Sequence, residues 1–283
     1  MSTETGSDEP SGASLSYQNI LEREMEEALQ EIARPTMGVF LSGLSAGLNL
    51  SFGALFMGMA LTFSGGFQSQ LVQQLALGSL SSIAFLFVVL GQTELFTAHS
   101  TMAVLPVLDR RASLSDLGGL WGATYVSNLL GCVIFAGLIA SLGPSMGIIS
   151  PSAFGTLANA LIPLPWWTIL LSGIVAGWLM GMTTWLVAAS RDTIGRIVFT
   201  MVVTGSIGFG PFHHAILGTT EVVSAMFLGQ GVTIGDLVHF LLWTTIGNII
   251  GGAVFVGLLN YGHIELAGEP QDVDFEAETT SDS

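Results

Sequence analysis

The stretch Gly91-Gln92-Thr93-Glu94-Leu95-Phe96-Thr97-Ala98-His99-Ser100 decides how this chain is read. It places a carboxylate, an imidazole and several hydroxyls straight after an oily run in which Pro35 to Thr93 carries no formal charge. A second interruption, Gly208-Phe209-Gly210-Pro211-Phe212-His213-His214, divides another apolar run. There Pro211 removes a backbone donor and clashes with the preceding turn, so a helix should break. Non-helical backbone at membrane depth is tolerated only where protein buries it or water reaches it. With an offset of about 120 residues, Glu94 falls opposite His213 or His214, so the two breaks occupy equivalent places.

The composition around these breaks is that of a membrane protein. Half of the 283 residues are hydrophobic and a tenth charged, with a mean hydropathy of +0.68. A soluble domain carries about a quarter charged residues. Six arginines, no lysine and 21 acids give a net charge of −15. Residues 1–34 hold eight of the acids and 262–283 hold seven, leaving six acids and four arginines for the whole of 35–261. The acidity belongs to two tails, and the middle is nearly neutral. A nucleic-acid partner, which needs a basic face, is excluded. Cys132 has no partner for a disulfide, and no Cys or His cluster has metal-ligand spacing, so neither metal nor cofactor is expected.

About 20 apolar residues span the hydrocarbon layer. Breaking the chain at its polar and Gly/Pro-rich points gives six spans near 36–62, 71–107, 117–142, 165–188, 197–228 and 236–260. Residues 1–30 are acidic, unlike a cleavable signal. With both termini cytoplasmic, all six arginines (Arg23, Arg34, Arg110, Arg111, Arg191 and Arg196) fall on the cytoplasmic side of the cell membrane, as the positive-inside tendency requires. Within 16–33, Tyr17, Leu21, Met25, Leu29 and Ile32 recur at helical spacing, while the glutamates are expected to face elsewhere. Such a helix packs on the cytoplasmic face of its own or a neighbouring subunit, or remains a solvated tail. Residues 1–14 and 268–283 have the composition of disordered segments.

The chain repeats itself. Leu41-Ser42-Gly43-Leu44-Ser45-Ala46-Gly47 recurs as Leu171-Ser172-Gly173-Ile174-Val175-Ala176-Gly177. Placing Asn128 on Asn248 also aligns Thr124 with Thr244, Gly131 with Gly251 and Phe135 with Phe255. Repeat 1 covers about 35–142 and repeat 2 about 163–261, with three spans each, so the halves sit inverted. Inverted repeats are an architecture of transporters, with the solute path where the halves meet. The expected fold is therefore an all-α membrane protein of six transmembrane helices in a 3+3 inverted repeat, with spans 2 and 5 broken.

An ionisable group at membrane depth is costly unless paired or wetted, and so is functional by default. His214 is read as lining the path. Glu221, two helical turns further on, either shares that face or is structural. Glu94 is read as satisfying the loose amides of a broken helix. Asn128 and Asn248 are read as bracing the breaks, and Pro211 as making one. His99, His213 and His239 are expected to be structural or interfacial.

Glu94-Leu95-Phe96-Thr97, Phe212-His213-His214 and Gly247-Asn248-Ile249-Ile250-Gly251-Gly252 together resemble the formate/nitrite transporter family, over about Arg34 to Tyr261. Arg34-Pro35, Ala103-Val104-Leu105-Pro106-Val107 and Glu221 look closer to a less characterised branch. The resemblance implies an aquaporin-like fold, a homopentamer in the lipid bilayer, and one pore per subunit. It implies a central histidine at His214, with Leu95, Phe96 and Thr97 at a constriction and Phe212 beside the histidine. It further implies that a small anion of the formate, nitrite, acetate or lactate class meets that histidine and crosses as the near-neutral acid. Anion carriers of the family usually have a lysine in the vestibule and an asparagine in span 4; this chain has no lysine, and Gly177 stands at the second place. A channel for a neutral or weakly basic solute on the same fold is the alternative, and a non-conducting scaffold a third. No enzyme motif is present, and no enzymatic activity is expected.

Overall fold

The computed structural model describes residues 15–267, and every regular element among them is helical. The segments 1–14 and 268–283, expected to be disordered, lie outside the described residues. In chain order the helices are α1 (Tyr17–Ala33), α2 (Thr36–Phe63), α3 (Gln70–Leu90), α4 (Phe96–Met102), α5 (Val104–Leu108) and α6 (Leu114–Leu142). They continue as α7 (Pro151–Asn159), α8 (Trp166–Ala189), α9 (Thr193–Phe209), α10 (Ala215–Phe227) and α11 (Ile234–Ile249). A π-helical stretch, Ile250–Leu258, joins α11 to α12 (Leu259–Ala267). Helices α2, α3, α6 and α8 and the continuous run Ile234–Leu266 are long and apolar enough to cross a membrane.

The sequence marks the helix starts. Ser69 and Asp192 accept hydrogen bonds from Val72 N and Gly195 N at the heads of α3 and α9. Ser113 and Thr233 form capping boxes with Asp116 and Asp236 at the heads of α6 and α11, again 120 residues apart. Four expected spans each fall on one long helix, whereas 71–107 is divided among α3, α4 and α5 and 197–228 between α9 and α10. The short helix α7 was not expected: its nine residues, opened by Pro151, are too few to carry a periodic apolar pattern.

Two helix pairs show the same close contact. A Cβ at Gly47 of α2 would lie 2.2 Å from Asn128 O, and one at Gly131 of α6 would lie 2.7 Å from Leu44 O. In the second half a Cβ at Gly177 of α8 would lie 2.2 Å from Asn248 O, and one at Gly251 would lie 2.1 Å from Ile174 O. Only glycine permits backbones this near, and lipid supplies no competing apolar drive. The short helices cross between halves: α10 packs on α6, and α4 packs on α8.

Helix α1 lies against the other helices. Ile20, Leu21, Met25 and Ala28 are buried, and Leu21 and Met25 cluster with Leu105, Trp185, Tyr261 and Ile264. The expectation that every glutamate faces away from this surface is corrected by Glu24, which is 1% exposed. Position 24 is one turn from both Leu21 and Ala28, so it belongs to the apolar stripe by helical spacing. Burial pushes the Glu24 carboxyl up to about 8, with Glu27 adding to the effect.

Candidate functional site

The gaps that precede α4 and α10 are each closed by one asparagine. Asn128 Oδ1 accepts from Phe96 N at 2.9 Å, while its Nδ2 donates to Gly43 O at 2.7 Å and Glu94 O at 2.9 Å. Asn248 Oδ1 accepts from Ala215 N at 2.9 Å, and its Nδ2 donates to Gly173 O at 2.8 Å and His213 O at 2.9 Å. Ser42 accepts from Glu94 N as Ser172 accepts from His213 N, both at 3.1 Å. These contacts choose between the two alignments left open by the sequence: Glu94 corresponds to His213, and Leu95 to His214. The reason for the asparagines is physical, because an amide side chain offers a donor and an acceptor together.

His214 caps α10. Its Nδ1 accepts from Leu217 N at 3.2 Å, so the ring proton sits on Nε2 and is donated to Thr97 Oγ1 at 2.9 Å. Phe85 of α3 meets the imidazole edge-on, with centroids 5.2 Å apart. Two cavities approach this pair. One, of about 80 Å³, is lined by His214, Phe212, Pro211, Glu221, Gln73 and Gln74. The other, of about 1010 Å³, is bounded by Leu95, Ala98, Met102 and Met180 and opens below α1. Its walls carry Arg23, Arg34, Arg191 and Arg196 facing Glu24, Glu26, Glu27, Glu31 and Glu94. Leu95 bounds one cavity and His214 the other, with the Thr97–His214 hydrogen bond between them.

The remaining candidates divide. Phe96, expected at a constriction, lines neither cavity: its ring packs edge-on against Tyr125 and Trp121 of α6. Glu94 does not bind loose helix amides, since Asn128 holds Phe96 N; its carboxylate pairs with Arg34 and lies against the ring of His99. His213 is fully bonded, with Nε2 donating to Leu161 O at 2.9 Å and Nδ1 accepting from Ser172 at 2.7 Å. Of the six acids in 35–261, Asp116, Asp192 and Asp236 cap helices, and Glu94 and Asp109 are ion-paired. Among the described residues Glu221 alone of the six has neither role, and it faces the His214 cavity.

A family model described as formate/nitrite transporter matches residues 18–262. The chain belongs to that family. The chain is similar to the nitrite transporter NirC of Escherichia coli (strain K12), 26% identical over 229 residues, covering 80% of this chain and 83% of NirC. A solved "FNT family ion channel" superposes with a TM-score of 0.79 at 22% identity, covering 89% of this chain and all of that one. A "pentameric formate channel with formate bound" gives a TM-score of 0.71 at 20% identity, covering 82% and 98%. This transporter is therefore an all-helical, multi-pass membrane protein with the fold of those channels.

Sequence reasoning missed Phe85, Gln73 and Gln74 at this site. All three lie on α3 among many apolar residues, and only the position of α10 selects them. Gln74 Oε1 is enclosed without a hydrogen-bond donor beside the His214 cavity. No local pattern in the sequence distinguishes these residues from others on the same helix.

Proposed function

We propose that this transporter conducts small monovalent anions, or their conjugate weak acids, of the formate, nitrite, acetate or lactate class through a pore inside each subunit of a homopentamer. In this reading α3 with α4 and α5, and α9 with α10, form the second and fifth crossings of a six-span, inverted 3+3 channel domain over 35–261. Both termini lie on the cytoplasmic side of the cell membrane, with the wide cavity below α1 as the inner vestibule. The acidic tails stand outside the channel domain.

One observation carries the reading. His214, with its Nε2 proton directed at Thr97, lines one cavity, and Leu95 and Ala98, which flank Thr97 in the chain, line the other. An apolar constriction opposes a bare anion strongly. A donor at that point lets the solute exchange its water shell for a fixed hydrogen bond, and an imidazole can pass a proton at ordinary pH. Leu95, Phe212 and Phe85 supply the apolar surround, and Asn128 and Asn248 hold the two breaks in register.

Glu221 favours a second reading, because an ionised carboxylate in the outer cavity repels anions. A neutral or weakly basic solute would then be the cargo. Flux into liposomes at pH 5.5 and 7.5 separates the two. Formate or nitrite uptake at least tenfold above empty liposomes, faster at the lower pH and lost in His214→Ala, supports the first. Glu221→Gln should raise anion uptake severalfold at pH 7.5. Uptake of neutral solutes only, in wild type and in Glu221→Gln alike, supports the second; undiminished anion flux in His214→Ala removes the central role of the imidazole.

A further inference from the structure

Away from the Thr97–His214 pair, one largely buried group of side chains brings an imidazole and two carboxylates together. His99 Nδ1 faces Leu95 O at 3.2 Å, and a carbonyl can only accept, so that nitrogen bears the proton in the neutral ring. The lone pair is then on Nε2, which points at Glu94 Oε2 at 2.5 Å and Glu31 Oε2 at 3.7 Å. Both carboxylate oxygens are enclosed and have no hydrogen-bond donor, and Glu94 is 1% exposed. Three electron-pair donors therefore converge, all within 4.8 Å of one another, and the cation beside them is Arg34, whose Nη1 lies 3.7 Å from Glu31 Oε2. Arg34 is already engaged on the other oxygen of Glu94.

We propose that Glu31, Glu94 and His99 form a binding site for a divalent first-row metal ion of the zinc type, tying α1 to the segment that precedes α4. Imidazole with carboxylates suits such ions, and three protein ligands leave a further position for water. An ion about 2.0–2.2 Å from each ligand atom sets tetrahedral ligand atoms roughly 3.4 Å apart, so the 3.7 Å His99–Glu31 edge nearly fits and the 2.5 Å His99–Glu94 edge must open by about 1 Å. The outer contacts are in place as well. Leu95 O fixes the His99 tautomer, and Arg34 orients Glu94, the arrangement that supports ligands at metal centres. The 1010 Å³ cavity, which all three residues line, gives an ion access from the α1 side. The competing occupant is a proton, which would make His99 an imidazolium paired with Glu94.

The test uses purified full-length protein in detergent, titrated with Zn2+ and, for its visible spectrum, Co2+. One ion per chain should bind, and Co2+ should develop the d–d bands of a low-coordinate nitrogen/oxygen site. His99→Ala and Glu31→Gln should each weaken binding at least tenfold. Glu31 lies on the peripheral helix α1, so its variant tests the site even if His99→Ala fails to fold. No stoichiometric binding, or binding unchanged in Glu31→Gln, would overturn the proposal and leave the proton as the occupant. Because the readout is metal binding, its failure is independent of whether the channel conducts anions.

Discussion

Asn128 and Asn248 show how much of this molecule rests on single side chains. Each satisfies one amide and two carbonyls at a place where the backbone has left its helix and no water need be present. A buried group left without its partner costs about 1–3 kcal/mol. Asn248→Ala strands three such groups and should lower thermal stability in detergent by roughly 3 kcal/mol or more, and a melting temperature within a degree of wild type would contradict this. These two residues were legible in the sequence because the internal repeat aligned them. Phe96 was not, because a tetrapeptide does not say which way a ring turns, and Trp121 and Tyr125 lie on a helix that starts 18 residues later. The Glu31, Glu94 and His99 group escaped for the same reason: Glu31 is 63 residues from Glu94, and only the docking of α1 brings them together.

Among the elements, α1 is the one whose attachment should depend on pH. Glu24 is buried with its carboxyl held up near 8 against an ordinary value of 4.5, chiefly by desolvation. A raised acid favours the docked helix fully below the undocked value, and that contribution is lost as pH rises through 8. Docking should thus weaken between about pH 4.5 and 8. Amide exchange over residues 17–33, compared with Glu24→Gln at each pH to remove the intrinsic rate, should be at least tenfold faster at pH 8.5 and indistinguishable at pH 4.5. A constant ratio would show that Glu24 is not docked as described. The glycines give the opposite kind of element, one fixed by packing alone. Gly177→Ala puts a Cβ 2.2 Å from Asn248 O and should reduce folded yield severely, whereas Gly137→Ala on α6 meets nothing within 4 Å. The latter should be neutral or stabilising by up to about 1 kcal/mol. Equal yields from the two variants would contradict the close crossing. Apolar periodicity revealed where the long helices lie but not how they pair, since that depends on which glycine faces which backbone.

At the scale of the whole molecule, the two cavities and the residues between them all come from one chain. Short helices from each half reach across to the other, α10 onto α6 and α4 onto α8, and in the proposed reading they assemble the waist within a protomer. In the proposed pentamer every subunit would then conduct alone, and neighbours would serve to cover the apolar outer faces. That separates it from a pore on the central axis, where one defective copy spoils the shared path. Co-expressing wild type with His214→Ala at known ratios, and purifying mixed assemblies, makes the difference measurable. Independent pores give anion flux that falls in direct proportion to the mutant fraction, so half the subunits leave half the flux. A single shared path would fall with the probability that all five copies are intact, leaving about one part in thirty at the same mixture. The steep curve would refute a waist built inside each chain, and the straight line requires one.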